Sequence, residues 1–289
     1  MSGVLLFNLL WVFSLAGFSQ SGGWSANYSP QKAFIENQGQ FQIPGSTEKV
    51  LFAFDGGPNM IYFTEKGISY NFLKSWKEVD GAEEKENERF TNVEEWKEKE
   101  TKEHRMEYER DAVSMHWENS NEDVQIIGSE PTQDYHSYCI TEKDGSIRNV
   151  NYIKAFKKIT YQNLYPGIDV EYVFHPVEGI KYSLIIHPGA DISKISMNYS
   201  REPKILENGD IHISTKFGDI IDHAPASFYN DNPSEAIISH FNLDENNVSF
   251  SLESTDHSKT IIIDPWTQSP VLPNSHGVWE CERDEAGNV

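Results

Sequence analysis

Apolar and polar residues alternate along Ile168-Asp169-Val170-Glu171-Tyr172-Val173-Phe174, and again along Ile180-Lys181-Tyr182-Ser183-Leu184-Ile185-Ile186. Side chains in a strand point to opposite faces in turn, so Ile168, Val170, Tyr172 and Phe174 share one face. Ile180, Tyr182, Leu184 and Ile186 share one face of the second run. With 175–179 as the loop, Phe174 falls opposite Ile180, Tyr172 opposite Tyr182, Val170 opposite Leu184 and Ile168 opposite Ile186. Every apolar residue then meets an apolar partner, and a slip of one residue would destroy the match. The segment specifies a half-buried antiparallel hairpin.

The same reading extends along the chain. Phe34 to Gln40 is a short strand that breaks at Gly39. Val50 to Phe54, Met60 to Phe63 and Ile68 to Leu73 are strand-like, separated by the turn chemistry of Asp55-Gly56-Gly57-Pro58 and Glu65-Lys66-Gly67. Strands resume at Met106, with Ala112 to Trp117, Val124 to Ile127 and Tyr135 to Ile140 following. Asp144-Gly145 and Asn208-Gly209 are two-residue hairpin signals, the second lying between Ile205-Leu206 and Ile211-His212-Ile213. Ile237 to Leu243, Val248 to Leu252 and Thr260 to Ile263 complete the set. Short strands with frequent turns predict an all-β chain of two consecutive antiparallel β-sandwich-like units, over 20–149 and 150–265.

Lys74 to Arg110 departs from this pattern. It carries 13 acidic and 9 basic residues. Thr91 and Glu94 form a capping-box pair, and Thr91 to Glu103 could be helical. The stretch reads as a solvated insertion between two strands. The alternative is a partner-binding arm.

Composition changes the picture in three ways. An aromatic content of 12% supplies core material although the apolar fraction is only 38%. The formal charge of −21 disfavours nucleic acid and anionic membrane surfaces as partners. Two cysteines, Cys139 and Cys281, lie far apart without metal-ligand spacing. The apolar stretch Val4 to Phe18, followed by small residues before Gln20, predicts a signal peptide over 1–19. It is shorter than the roughly 18 to 20 residues of a spanning helix, so no stable membrane span is expected.

Four ordered pieces carry a family resemblance: Phe34-Ile35-Glu36-Asn37-Gln38-Gly39-Gln40, Asn163-Leu164-Tyr165-Pro166-Gly167-Ile168-Asp169, His187-Pro188-Gly189-Ala190-Asp191 and Ile262-Ile263-Asp264-Pro265. Together they resemble the N-terminal β-rich region of large secreted surface proteins of gliding bacteria. Those proteins carry SBBP-type β-propeller repeats and a gliding-motility-associated C-terminal domain. The resemblance covers roughly Phe34 to Trp266. The tail Gly277 to Val289 resembles the opening of a propeller blade, so 266–289 reads as a linker and partial blade of a longer chain. The resemblance implies export through type IX secretion and an extracellular or cell-surface location. It supplies no catalytic residues.

Candidate chemistry is sparse. No nucleophile elbow, zincin motif or phosphate loop is present. His136 and Cys139 are three apart, which puts them on opposite strand faces and disfavours a dyad. Cys139 is expected to be a small buried residue. Asp169 and Glu171 share the polar hairpin face, with Lys181 as the expected cross-strand partner. His175, His187, His212 and His223 show no zinc spacing. The acid-rich turns Asp55-Gly56-Gly57 and Asp231-Asn232 offer oxygen ligands for calcium, but match no calcium-loop motif. No catalytic, cofactor or metal residue is therefore assigned. Trp24, Trp76 and Trp96 lie in polar segments and are the candidate ligand-stacking residues, for polysaccharide. Trp117 belongs either with them or in the core. The expected function is a non-enzymatic extracellular scaffold or adhesion module that contacts polysaccharide or other surface proteins. The alternative is a carbohydrate-binding or glycan-active exported protein.

Overall fold

A computed structural model describes residues 32–77, 106–142, 144–176, 179–253, 255–270 and 272, which belong to one compact unit. The chain is all-β. Its strands are β1 (Phe34–Glu36), β2 (Val50–Gly56), β3 (Asn59–Thr64), β4 (Gly67–Lys77), β5 (Met106–Trp117), β6 (Gln125–Pro131), β7 (His136–Thr141), β8 (Ile147–Ile153), β9 (Ala155–Tyr165), β10 (Ile168–Phe174) and β11 (Ile180–Ile186). They continue as β12 (Met197–Tyr199), β13 (Lys204–Ile205), β14 (Ile211–Thr215), β15 (Gly218–Asp222), β16 (Ala226–Tyr229), β17 (Asn232–Ile237), β18 (Ser239–Asp244), β19 (Asn247–Leu252), β20 (Ile261–Asp264) and β21 (Trp266–Gln268).

Nearly all of them join one antiparallel sheet. Strands β2, β3, β4 and β5 form a meander. So do β9, β10 and β11. β1 links the two meanders, because Ile35 lies opposite both Ala53 of β2 and Ala155 of β9. Beyond β5 come β12, β19 and β18. Beyond β11 come β20, β16 and β17. The two ends of this order are thus β17 and β18, which are consecutive in the chain. The sheet curls until it nearly closes. A branch through β21, β15, β14 and β13 extends it. β6 adds to the outer edge of β9.

The β10–β11 hairpin has the register its alternation predicts, from Ile168 opposite Ile186 to Phe174 opposite Ile180. Its inner residues are buried on both strands, except Phe174, which is half-buried. The Asn208-Gly209 hairpin also forms, with Ile205 opposite Ile211. The Asp144-Gly145 hairpin joins β7 to β8, but through a loop longer than two residues. Glu142 N donates to Ser146 O and Gly145 N to Glu142 O. The expected boundary at residue 149/150 falls inside β8, and strands from both sides of it pair directly, as β5 does with β12. Local alternation marks strands but not their distant partners. The expected helix over Thr91 to Glu103 lies outside the described residues, between the paired ends Lys77 and Met106. The signal peptide and the blade-like tail also lie outside them.

The curled sheet packs its inner faces together on aromatic rings. Phe63 of β3 meets Tyr172 of β10 edge-on at 5.4 Å, and Trp117 of β5 meets Tyr182 of β11 at 6.4 Å. Tyr161 and Tyr172 are fully buried, and each hydroxyl has a hydrogen-bond partner. Tyr161 donates to the Thr64 carbonyl at 2.8 Å, and Trp117 Nε1 donates to Tyr172 Oη at 3.2 Å. An unpaired buried hydroxyl would cost roughly 1–3 kcal/mol, so these bonds are what let tyrosine serve as core. A second, smaller cluster lies around Ile35, Phe41, Ala53, Tyr62, Val150 and Ile153. Through Val150 and Ile153 it seats the separate β7–β8 sheet.

Candidate functional site

The polar residues of the four ordered sequence pieces are where a reaction centre would be sought. Their hydrogen bonds go to the fold instead. Asn37 uses its whole amide on backbone: Nδ2 donates to the Phe41 and Val50 carbonyls, and Oδ1 accepts from Gly39 N and Phe41 N. Asn163, with φ 51°, accepts from Gly167 N through Oδ1, while its own N–H donates to Asp169 Oδ1 at 2.6 Å. Asp169 Oδ2 pairs with His187 Nε2 at 2.9 Å. Asp191 caps the 3-10 turn Ile192–Lys194 by accepting from Ser193 N. Asp264 accepts from Ser183 and pairs with Lys181 at 2.6 Å.

The charge pairs differ from the cross-strand expectation. Lys181 reaches Asp264 on β20, and Glu171 is met by Lys158 of β9 at 3.0 Å. Each carboxylate takes a cation from a strand that local reading could not place beside it. The histidines are held one by one. His212 pairs with Asp219 at 3.0 Å, and His223 with Asp210 at 3.2 Å. Trp266 lies between two of them, stacked on His223 at 3.9 Å and on His175 at 4.5 Å. Among the described residues no group of three or more His, Cys, Asp and Glu could hold a metal ion.

Two surface features of the described residues bear on binding. Tyr135 and Tyr152 meet edge-to-face at 6.2 Å while being 63% and 78% exposed. Elsewhere, Asn198, Glu202, Glu245, Asn246 and Asn247 line an open cleft of about 450 Å³. Asn198 Nδ2 there donates to Asn247 Oδ1 at 2.8 Å.

A family model described as Domain of unknown function (DUF7948) matches residues 34–266. The chain belongs to this family. The match spans the same stretch as the four ordered sequence pieces. No curated protein and no solved structure matches the chain.

Within the DUF7948 domain the sequence-derived candidates are scattered. Trp24 and Trp96 lie outside the described residues, as does the side chain of Trp76, whose backbone sits in β4. Trp117 is core, at 3% exposure. Cys139 is exposed, not buried as expected. β7 turns Tyr138 and Ile140 toward the smaller apolar cluster, so the alternate positions face out. His136 and Cys139 do fall on opposite faces. Asp55, in one of the acid-rich turns, accepts from Gly57 N and from the Tyr138 hydroxyl. The exposed tyrosine pair was missed by sequence reading. Tyr152 owes its exposure to a break in strand register that no residue pattern announces.

Proposed function

We propose that this domain is a non-enzymatic scaffold or adhesion module of a larger secreted cell-surface protein. The observation that carries the reading is the commitment of the motif side chains to architecture. Asn37, Asn163, Asp169, Asp191 and Asp264 bond to backbone or to a fixed neighbour. Residues so engaged make a fold rigid, as a spacer requires. The apolar N-terminal stretch and the charge of −21 support export and solubility outside the cell. On this reading the facing layers are sandwich-like, and Gly277 to Val289 opens a propeller blade. The module presents downstream repeats and meets surface partners.

Fractionation of cells producing the natural protein, with protease added to intact cells, tests the reading. Accessible protein at the surface or in the medium supports it. Protein confined to the cytoplasm and protected from protease removes it.

A further inference from the structure

We infer that Tyr135 and Tyr152 form a stacking site for a neutral glycan at one end of the β7–β8 sheet. Three observations converge there. The two rings are 63% and 78% exposed, yet they are fixed against each other at 6.2 Å and 78°. An edge-to-face pair leaves ring surface open to a ligand. Next, Tyr152 holds φ 60°, the left-handed region that a bulky side chain normally avoids. The β7–β8 register shifts at the same place, between His136 and Tyr138, opposite Tyr152 and its neighbours. A bulge re-aims a side chain, and here it turns an aromatic ring into water against backbone preference. Burial does not explain that arrangement. Finally, the exposed side chains next to them in the chain are Gln133, Asp134, Ser137, Asn151 and Lys154, which accept from or donate to hydroxyls.

The ligand class follows from this chemistry. The C–H face of a pyranose ring stacks on an aromatic ring, and its hydroxyls bond to carboxylates and amides. The chain charge of −21 disfavours polyanionic sugars. The inference rests on the surface-module reading for its setting. That reading stands whether or not the site binds.

The test is isothermal titration of the full chain with soluble neutral polysaccharides and with polygalacturonate. Cello-oligosaccharides, laminarin and dextran are the neutral probes. Binding to at least one neutral glycan is expected, weakened at least ten-fold by Tyr152→Ala and by Tyr135→Ala, and kept by Tyr152→Phe. Tyr152→Gly is the control for folding. Glycine accepts φ 60° without strain, so it should abolish binding while the thermal midpoint holds or rises. No heat with any neutral glycan overturns the site and leaves the pair to a protein partner. So does binding that survives both alanine variants, or tighter binding of polygalacturonate. None of these results bears on cell-surface location, which fractionation decides separately.

Discussion

Tyr182 donates its hydroxyl to Asp222 at 2.6 Å, and Asp222 has no exposure to solvent. Tyr199 and Thr267 donate to the same carboxylate, each at 3.3 Å. The contact ties β11, β12, β15 and β21 together around one buried acid. Burial pushes the Asp222 carboxyl up to about 7, against the three hydrogen bonds, which lower it.

That shift sets a pH dependence. An unfolded aspartate titrates near about 4, so below that value both states hold the proton. Between about 4 and 7 only the folded chain keeps it. Stability therefore falls as pH rises through this window, by on the order of 4 kcal/mol, and the contribution of Asp222 is flat above it. Urea unfolding from pH 4 to 8 measures the slope. Asp222→Asn should flatten it, and an unchanged slope would show that Asp222 is not its source.

Asp111 of β5 bridges the seam toward β14. It receives Arg201 through both guanidinium Nη atoms and accepts from Lys216 N at 2.8 Å. Burial alone would raise its carboxyl, but Arg201 and the Lys216 N–H hold it below the usual range. Removing the acid strands the donors facing it. Asp111→Ala should cost about 2–4 kcal/mol, less than a fully buried pair because Arg201 is 37% exposed. Arg201→Lys keeps the charge but loses the fork, and should cost less. Equal losses for both variants in guanidinium denaturation would contradict this account of the seam.

Gly179 and Gly145 both hold positive φ, at 77° and 82°. A Cβ on Gly179 would lie 2.0 Å from the Thr267 carbonyl oxygen, whereas one on Gly145 would meet nothing within 4 Å. Gly145→Ala should therefore cost about 1 kcal/mol from backbone strain alone. Gly179→Ala adds a clash with fixed backbone and should cost at least about 2 kcal/mol more. Comparable thermal midpoints for the two variants would defeat the argument.

Asn37 offers a graded test of the motif residues. Asn37→Ala loses four bonds to backbone and should cost about 2–4 kcal/mol. Asn37→Asp keeps the acceptors for Gly39 N and Phe41 N but sets a carboxylate oxygen against the Phe41 and Val50 carbonyls, and should cost at least as much. A loss below about 0.5 kcal/mol for the alanine variant would deny Asn37 its architectural role.

The features legible in the chain alone are local ones. Alternation set the faces of β10 and β11, and apolar matching set their register, because a slip by one residue would turn every side chain to the wrong side. Asn208-Gly209 marked its hairpin because its backbone preferences favour a tight turn.

Sheet order and distant partners took shape only with the folded sheet. Trp117 meets Tyr172 across 55 residues, and β1 joins β2 to β9, pairings for which alternation carries no address. Asp222 lies inward beside Ile220 in a strand that alternation did not mark, and the hydroxyls that donate to it come from β11, β12 and β21. Tyr152 sits in a strand whose period breaks beneath it. Propensity and periodicity act over a few neighbours. Sheet order, buried polar partners and bulges are settled by which distant surfaces exclude water together.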